Sequence, residues 1–270
     1  MTQIILTAIL IFLLLPLPLI IISALANRKE LSKRGARVTA SDFLMSVITT
    51  ELSLFLTILT RPIFFIGWFE RASKKKRGQP ILMVHGLYHN DTAWLLIKPR
   101  LKNAGFKNFN TWSYNSFTTS YPDLLIELRK KILKLYAENN NQKLLLIGHS
   151  LGGLLMTGAI ADEEVAGAVE KLITLGTPCR GSLLAIAAPG KLGQSLHPDS
   201  SLFKYLRSIP SPAGVDKTAI ISPVDEMVLP WENLQPYDTS WKVIRSPAMG
   251  HVSMLYSRKV AKIISKILKQ

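Results

Sequence analysis

Residues 144–153 read LLLIGHSLGG: four apolar residues run into a turn that sets Gly148 and Gly152 on either side of Ser150. A short apolar run bounded by turn signals is a buried strand. The residues that follow, LGGLLMTGAIA over 151–161, are helix-like. Passing from strand to helix so abruptly brings the two backbones close together, and residues without Cβ atoms permit that approach. The G-x-S-x-G spacing holds a serine on a strained elbow with its hydroxyl exposed. The helix start aims its free N–H groups at the same point. A glycine-rich turn without chemistry satisfies the pattern equally well, so partners elsewhere in the chain must decide.

The surroundings repeat the strand–helix alternation. From Pro80 onward, ILMV (81–84) is a buried strand, 92–106 is helical in pattern with a possible break at Pro99, and NFNTWSY (108–114) is a strand. Residues 121–140 are amphipathic, with Leu124, Leu125, Leu128, Ile132 and Leu135 on one face. KLITLG (171–176), TAIIS (218–222) and WKVIRS (241–246) are further strands, and a closing helix carries the stripe Val260, Ile263, Ile264, Ile267, Leu268. This alternation predicts an α/β layered fold around a mostly parallel sheet. Reactive groups then gather at the carboxyl ends of the strands.

A serine nucleophile needs a base, and the base needs an orienting acid. Two histidines follow Ser150. His197 lies in a segment without strand character. His251 lies just past the strand at 241–246. Asp225 lies just past the strand at 218–222, with Glu226 as an adjacent rival. Ser150, Asp225, His251 is the chain order expected for such a sheet. The ordinary readings are a surface histidine and a turn-capping aspartate; they must account for three such residues at three strand ends. An oxyanion hole needs two backbone N–H groups. Leu151 supplies one, and Leu87, in the turn VHGLYHN after the first strand, supplies the other. His85 and His149 sit beside glycines and read as structural. With five histidines in no metal-ligand spacing and one cysteine, Cys179, neither a metal site nor a disulfide framework is expected.

VHGLYHN, IGHSLGGLL, LGTPCRGS, SPVDEMV and AMGHVSML together resemble the bacterial triacylglycerol lipases of the α/β-hydrolase superfamily, over roughly residues 80–260. The resemblance implies the α/β-hydrolase fold in a minimal version of about six strands, a serine esterase activity and no cofactor. Cys179 replaces the histidine of the family's TPH-x-GS segment, which touches a local contact and not the triad.

The front of the chain differs in character. Residues 1–27 carry no charged side chain, and the apolar run Ile4–Ala26 has the length to span a bilayer. A cleaved signal peptide is the competing reading, but MTQ lacks a positive charge and the apolar run is too long. A second apolar stretch, Phe43–Phe69, carries a polar stripe at Ser46, Thr50, Ser53, Thr57 and Thr60. It either crosses the membrane with that stripe against a neighbour or lies in the interface. The interfacial reading keeps both flanking basic clusters on the cytoplasmic side. The net charge of +15 flanks apolar segments instead of interleaving with aromatics, which favours anionic headgroups over nucleic acid.

The chain thus divides into a transmembrane anchor (1–27), a basic, apolar membrane-associated segment and linker (28–79), and a hydrolase domain (80–270). Within the last, a long apolar segment over about 177–217 reads as a lid. The expected function is a membrane-anchored lipase or carboxylesterase acting on lipid esters. A thioesterase, a phospholipase and a non-catalytic membrane scaffold are the alternatives.

Overall fold

The computed structural model describes residues 7, 14, 16–33, 39–60 and 77–270. Most of the expected anchor before Leu17, the basic run at 34–38 and the segment 61–76 lie outside the described residues.

The described elements are α1 (Leu17–Lys33), α2 (Ala40–Thr60), β1 (Ile81–Val84), α3 (Ile97–Asn103), β2 (Phe109–Trp112), α4 (Tyr121–Glu138), β3 (Leu144–His149), α5 (Leu151–Ala159), α6 (Glu163–Gly167), β4 (Val169–Leu175), α7 (Gly190–Gln194), α8 (Ser201–Ser208), β5 (Asp216–Ile221), β6 (Lys242–Arg245) and α9 (Arg258–Leu268). The six strands form one sheet in the order β2-β1-β3-β4-β5-β6. Every neighbouring pair is parallel. All strands therefore end on one edge, and the loops after them converge there.

Alternation along the strands sorts the core. Leu82, Val84, Leu144, Leu146 and Leu172 join one cluster with α4 and α5. Ile81, Met83, Leu145, Ile147 and Ile173 join the other with α3 and α9. The sheet is thus buried on both faces, which explains why its central strands read as continuous apolar runs. Pro99 breaks nothing: it is the third residue of α3, where its missing N–H has no intrahelical partner to lose. The 177–217 segment has no strand until β5 begins at Asp216, and it holds the short helices α7 and α8 and a 3-10 turn at Leu183–Ala187.

The two amino-terminal helices pack on the domain by their polar side. In α1, Ile20, Ser23 and Asn27 are buried while Ile21, Ile22 and Leu25 are exposed. In α2, Ser46, Thr50, Ser53 and Thr60 are buried, and Leu44, Ile48, Leu52, Phe55 and Leu59 are exposed. The expected polar stripe therefore does face a neighbour, and that neighbour is the hydrolase domain. Pro16 and Pro18 flank the first residue of α1 and do not interrupt it. Among the described residues, α2 alone is long and apolar enough to cross a membrane by length and composition.

Candidate active site

Ser150 stands between β3 and α5 with φ 53° and ψ −122°, a conformation that L-residues rarely hold. Its N–H donates to Leu175 O at 2.9 Å, and its carbonyl accepts the Thr177 hydroxyl at 3.0 Å. The elbow is pinned to the end of β4 from both sides. The glycines around it are required by space. A Cβ on Gly152 would lie 2.3 Å from Val84 O, and one on Gly148 would lie 2.6 Å from the Gly153 backbone. The turn after β1 closes on the same spot, since a Cβ on Gly86 would meet the Ser150 Cβ at 2.8 Å.

Leu87 lies in that turn, which is shaped by Tyr88 at φ 57° and by the bond from Tyr88 N–H to Ser116 Oγ, 2.9 Å. Leu151 begins α5, so its N–H has no intrahelical acceptor. The geometry brings the β1 turn, carrying Leu87, against the elbow that carries Leu151.

Asp225 and His251 meet at the ends of β5 and β6. Asp225 Oδ2 is 2.7 Å from His251 Nδ1. The other oxygen, Oδ1, accepts the N–H groups of Met227 and Val228 at 3.0 and 3.1 Å, which fixes the carboxylate. Both side chains are buried. Gly176, at φ 55°, lies directly behind the pair, where a Cβ would come within 3.1 Å of His251 Nδ1. Burial lowers the His251 pKa, but the charge and hydrogen bond of Asp225 outweigh it, and the net shift is upward. With Nδ1–H given to Asp225, Nε2 is left as the acceptor.

Glu226, the rival acid, does something else. Its carboxylate accepts the His251 backbone N–H at 2.9 and 3.2 Å. Burial, followed by the neighbouring Asp225 charge, raises its pKa to about 7.

Three other histidines have these surroundings. His197 pairs with Asp199 at 3.7 Å on the surface. His85 is buried, stacks on Tyr114 and bonds Ser113 Oγ at 2.8 Å; burial lowers its pKa to about 3. His149 packs its ring 4.8 Å from that of His251 and faces His251 O at 3.3 Å. Burial holds His149 well below the usual range, so it stays neutral beside His251. Cys179 is partly buried, and desolvation by the surrounding protein pushes its pKa up to about 12, which makes it a poor nucleophile. Neither Gly176 nor His149 carries a sequence signal for its contact with the pair; both contacts join different strand ends.

The 177–217 segment is tied to the same loops. Ser182 Oγ donates to Met227 O and accepts Leu229 N–H, and the Tyr88 hydroxyl donates to Pro189 O. Its Ile186 side chain is 79% exposed. That is an apolar group facing water.

A parallel α/β sheet with a serine on an elbow and an Asp–His pair at the same edge has the arrangement of the α/β-hydrolase fold. The mature lipase BlEst2 of Bacillus licheniformis is similar with a TM-score of 0.61 and 19% identity, over 74% of this chain and 94% of that one. Lipase B of Aspergillus fumigatus is similar with a TM-score of 0.61 and 16% identity, over 76% of this chain and 54% of that one. Residues 115–189 match the family described as PGAP1-like alpha/beta domain. A curated relative, the GPI inositol-deacylase of Candida albicans, is 27% identical over 124 residues, which is 37% of this chain and 31% of that protein. The chain thus matches under a third of the relative's length. The solved structures share the fold of this chain, and the family match falls within it. The comparisons do not restrict the resemblance to bacteria, since fungal proteins stand among them.

Proposed function

We propose that this protein is a serine hydrolase that cleaves carboxylic esters of lipids at a membrane surface. The observation that carries the reading is the 2.7 Å bond between Asp225 and His251 at the edge where Ser150 is held on its elbow. Ser150 Oγ attacks the ester carbonyl while His251 Nε2 takes its proton, and Asp225 steadies the imidazolium that forms. The N–H groups of Leu87 and Leu151 hold the oxyanion. Collapse expels the alcohol, which takes the proton back from His251. Water, deprotonated by His251, then releases the acid from the acyl-enzyme and restores Ser150.

The lipid preference is supported by three features. The lid exposes Ile186 and Leu183. The outer faces of α1 and α2 are apolar, and basic residues follow α1 and precede β1 in sequence. The curated relative is named for removing an acyl group from an inositol. Residues 17–27 of the expected transmembrane anchor pack on the domain through Ile20, Ser23 and Asn27, so the apolar run over 1–27 holds the chain at the membrane by its outward face, beside α2 in the membrane interface. The contacts of α2 with the domain extend from Ser46 to Thr57, which suits a helix lying flat against the protein rather than one standing across a bilayer.

A panel of p-nitrophenyl esters tests the reading. Turnover that rises from acetate toward medium or long acyl chains supports it, and a sharp optimum at acetate contradicts the lipid preference. Turnover of acyl thioesters in preference to oxygen esters would favour a thioesterase on the same residues.

A further inference from the structure

Each strand-end loop of the Asp–His pair is bonded to an amino-terminal helix. On α1, Ser23 Oγ donates to Asp225 O at 3.2 Å. Asn27 Nδ2 donates to Ser23 Oγ at 3.1 Å, while its Oδ1 accepts Trp231 N–H at 2.7 Å. On α2, Ser46 Oγ donates to Val224 O at 3.3 Å. Thr49 Oγ1 accepts Gly250 N–H at 3.0 Å, and Thr49 O accepts Ser253 Oγ at 2.7 Å. Thr57 Oγ1 and the Tyr256 hydroxyl lie 3.0 Å apart. The fit is close: a Cβ on Gly250 would lie 2.1 Å from Thr50 Oγ1.

These bonds fall on the residues beside the chemistry. Val224 precedes Asp225, and Gly250 precedes His251. The base also follows β6, a four-residue edge strand whose Lys242, Val243 and Arg245 are exposed. An edge strand has a neighbour on one side only, so the loop after it needs support from outside the sheet. Thr49, beside the polar stripe of α2, supplies that support through part-buried hydrogen bonds, and bonds to fixed groups set position well.

We propose that Thr49 of α2 and Ser23 of α1 are positioning residues for the His251–Asp225 pair, so that the helices facing the membrane are also part of the catalytic apparatus. This rests on the Ser150–His251–Asp225 reading. Neither residue touches substrate. They act through the backbone of Gly250 and Asp225. Loosening the Asp225–His251 contact lowers catalytic efficiency and also lowers the His251 pKa, because Asp225 is what raises it.

The test uses the full chain in detergent with a water-soluble p-nitrophenyl ester. Thr49→Val removes the acceptor for Gly250 N–H at nearly constant volume. The expected result is a fall in kcat of about tenfold with KM unchanged, in the range that small misplacements produce. The acid limb of the kcat/KM profile moves to lower pH. Thr49→Ser restores both, because it keeps the hydroxyl. Ser23→Ala, which acts on the acid from the other helix, gives the same two signatures and serves if Thr49→Val does not fold. Wild-type kcat and a wild-type acid limb in a folded Thr49→Val or Ser23→Ala protein overturn the proposal and leave the triad standing. A wild-type protein whose Ser150 takes up no fluorophosphonate overturns both.

Discussion

The backbone N–H of His251 is held by the carboxylate of Glu226, at 2.9 Å from Oε2, while the imidazole of the same residue belongs to Asp225. Two adjacent acids thus serve one histidine in separate ways, through the main chain and through the ring. Asp225→Asn is therefore expected to lower kcat on the order of a thousandfold or more, as loss of the orienting carboxylate does in such triads. Glu226→Gln keeps an acceptor for the backbone N–H and should cost tenfold at most. Steady-state kinetics of the two variants, side by side, decide between them. The reverse ranking would transfer the acid role to Glu226.

The rate should rise with pH. His251 must be unprotonated at Nε2 to act as base, and its pKa lies above the ordinary histidine value. The acid limb of kcat/KM, which reports the free enzyme, is expected to have its midpoint above about 6.5. Asp225→Asn removes the main cause of that rise, so its residual activity should show a midpoint shifted to lower pH. A wild-type midpoint below the ordinary value would contradict the pairing.

Glu226 also predicts a stability difference. Its folded pKa, about 7, exceeds the ordinary carboxylate value. The folded state therefore binds a proton that the unfolded state has already lost, and the contribution of Glu226 to stability falls as pH climbs from about 4.5 to 7. Urea unfolding at pH 5 and at pH 7.5 should show Glu226→Gln gaining relative to wild type at the higher pH. A constant difference between the two proteins would contradict the shift.

The elbow glycines predict a contrast. Gly152→Ala forces a Cβ to 2.3 Å from Val84 O, a backbone atom that cannot swing away. The expected loss is about 1–3 kcal/mol or more. Gly167, the last residue of α6, has nothing within 4 Å of a built Cβ. Gly167→Ala is expected to be neutral or to stabilise by up to about 1 kcal/mol. Denaturant midpoints check both.

The outer face of α2 predicts membrane binding. Ile48 and Phe55 are half exposed on that face. An environment-sensitive fluorophore on Phe55→Cys, in a Cys179→Ser background, should shift to the blue when the full chain is placed with anionic vesicles, a local readout that does not depend on how residues 1–27 hold the chain. An unshifted spectrum would move the membrane contact elsewhere.

Much of this arrangement was legible in the sequence because its signals are local. The elbow lies within ten residues. Asp225 and His251 each lie a few residues past a readable strand, and the alternation gave all six strands. The sequence reading favoured Asp225 with Glu226 as its rival; the contacts that separate the neighbours, one on the His251 ring and one on its main chain, depend on where the backbone points each of them. The helix Glu163–Gly167 is too short to show a period. The polar stripe of α2 was visible from its spacing, but nothing local said that it would meet the loops at Val224 and Gly250. Such contacts span roughly two hundred residues, as from Ser23 to Asp225 or Thr49 to Gly250, and only the fold brings their partners together.

The central claim is that Ser150 is a nucleophile activated by His251 and Asp225. The most direct test is to treat the full chain with a fluorophosphonate probe and map the adduct by peptide mass spectrometry. The account predicts one phosphonylated site, Ser150, with labelling lost in Ser150→Ala and strongly slowed in His251→Ala. An unlabelled wild-type protein, or labelling that persists in Ser150→Ala, would contradict it.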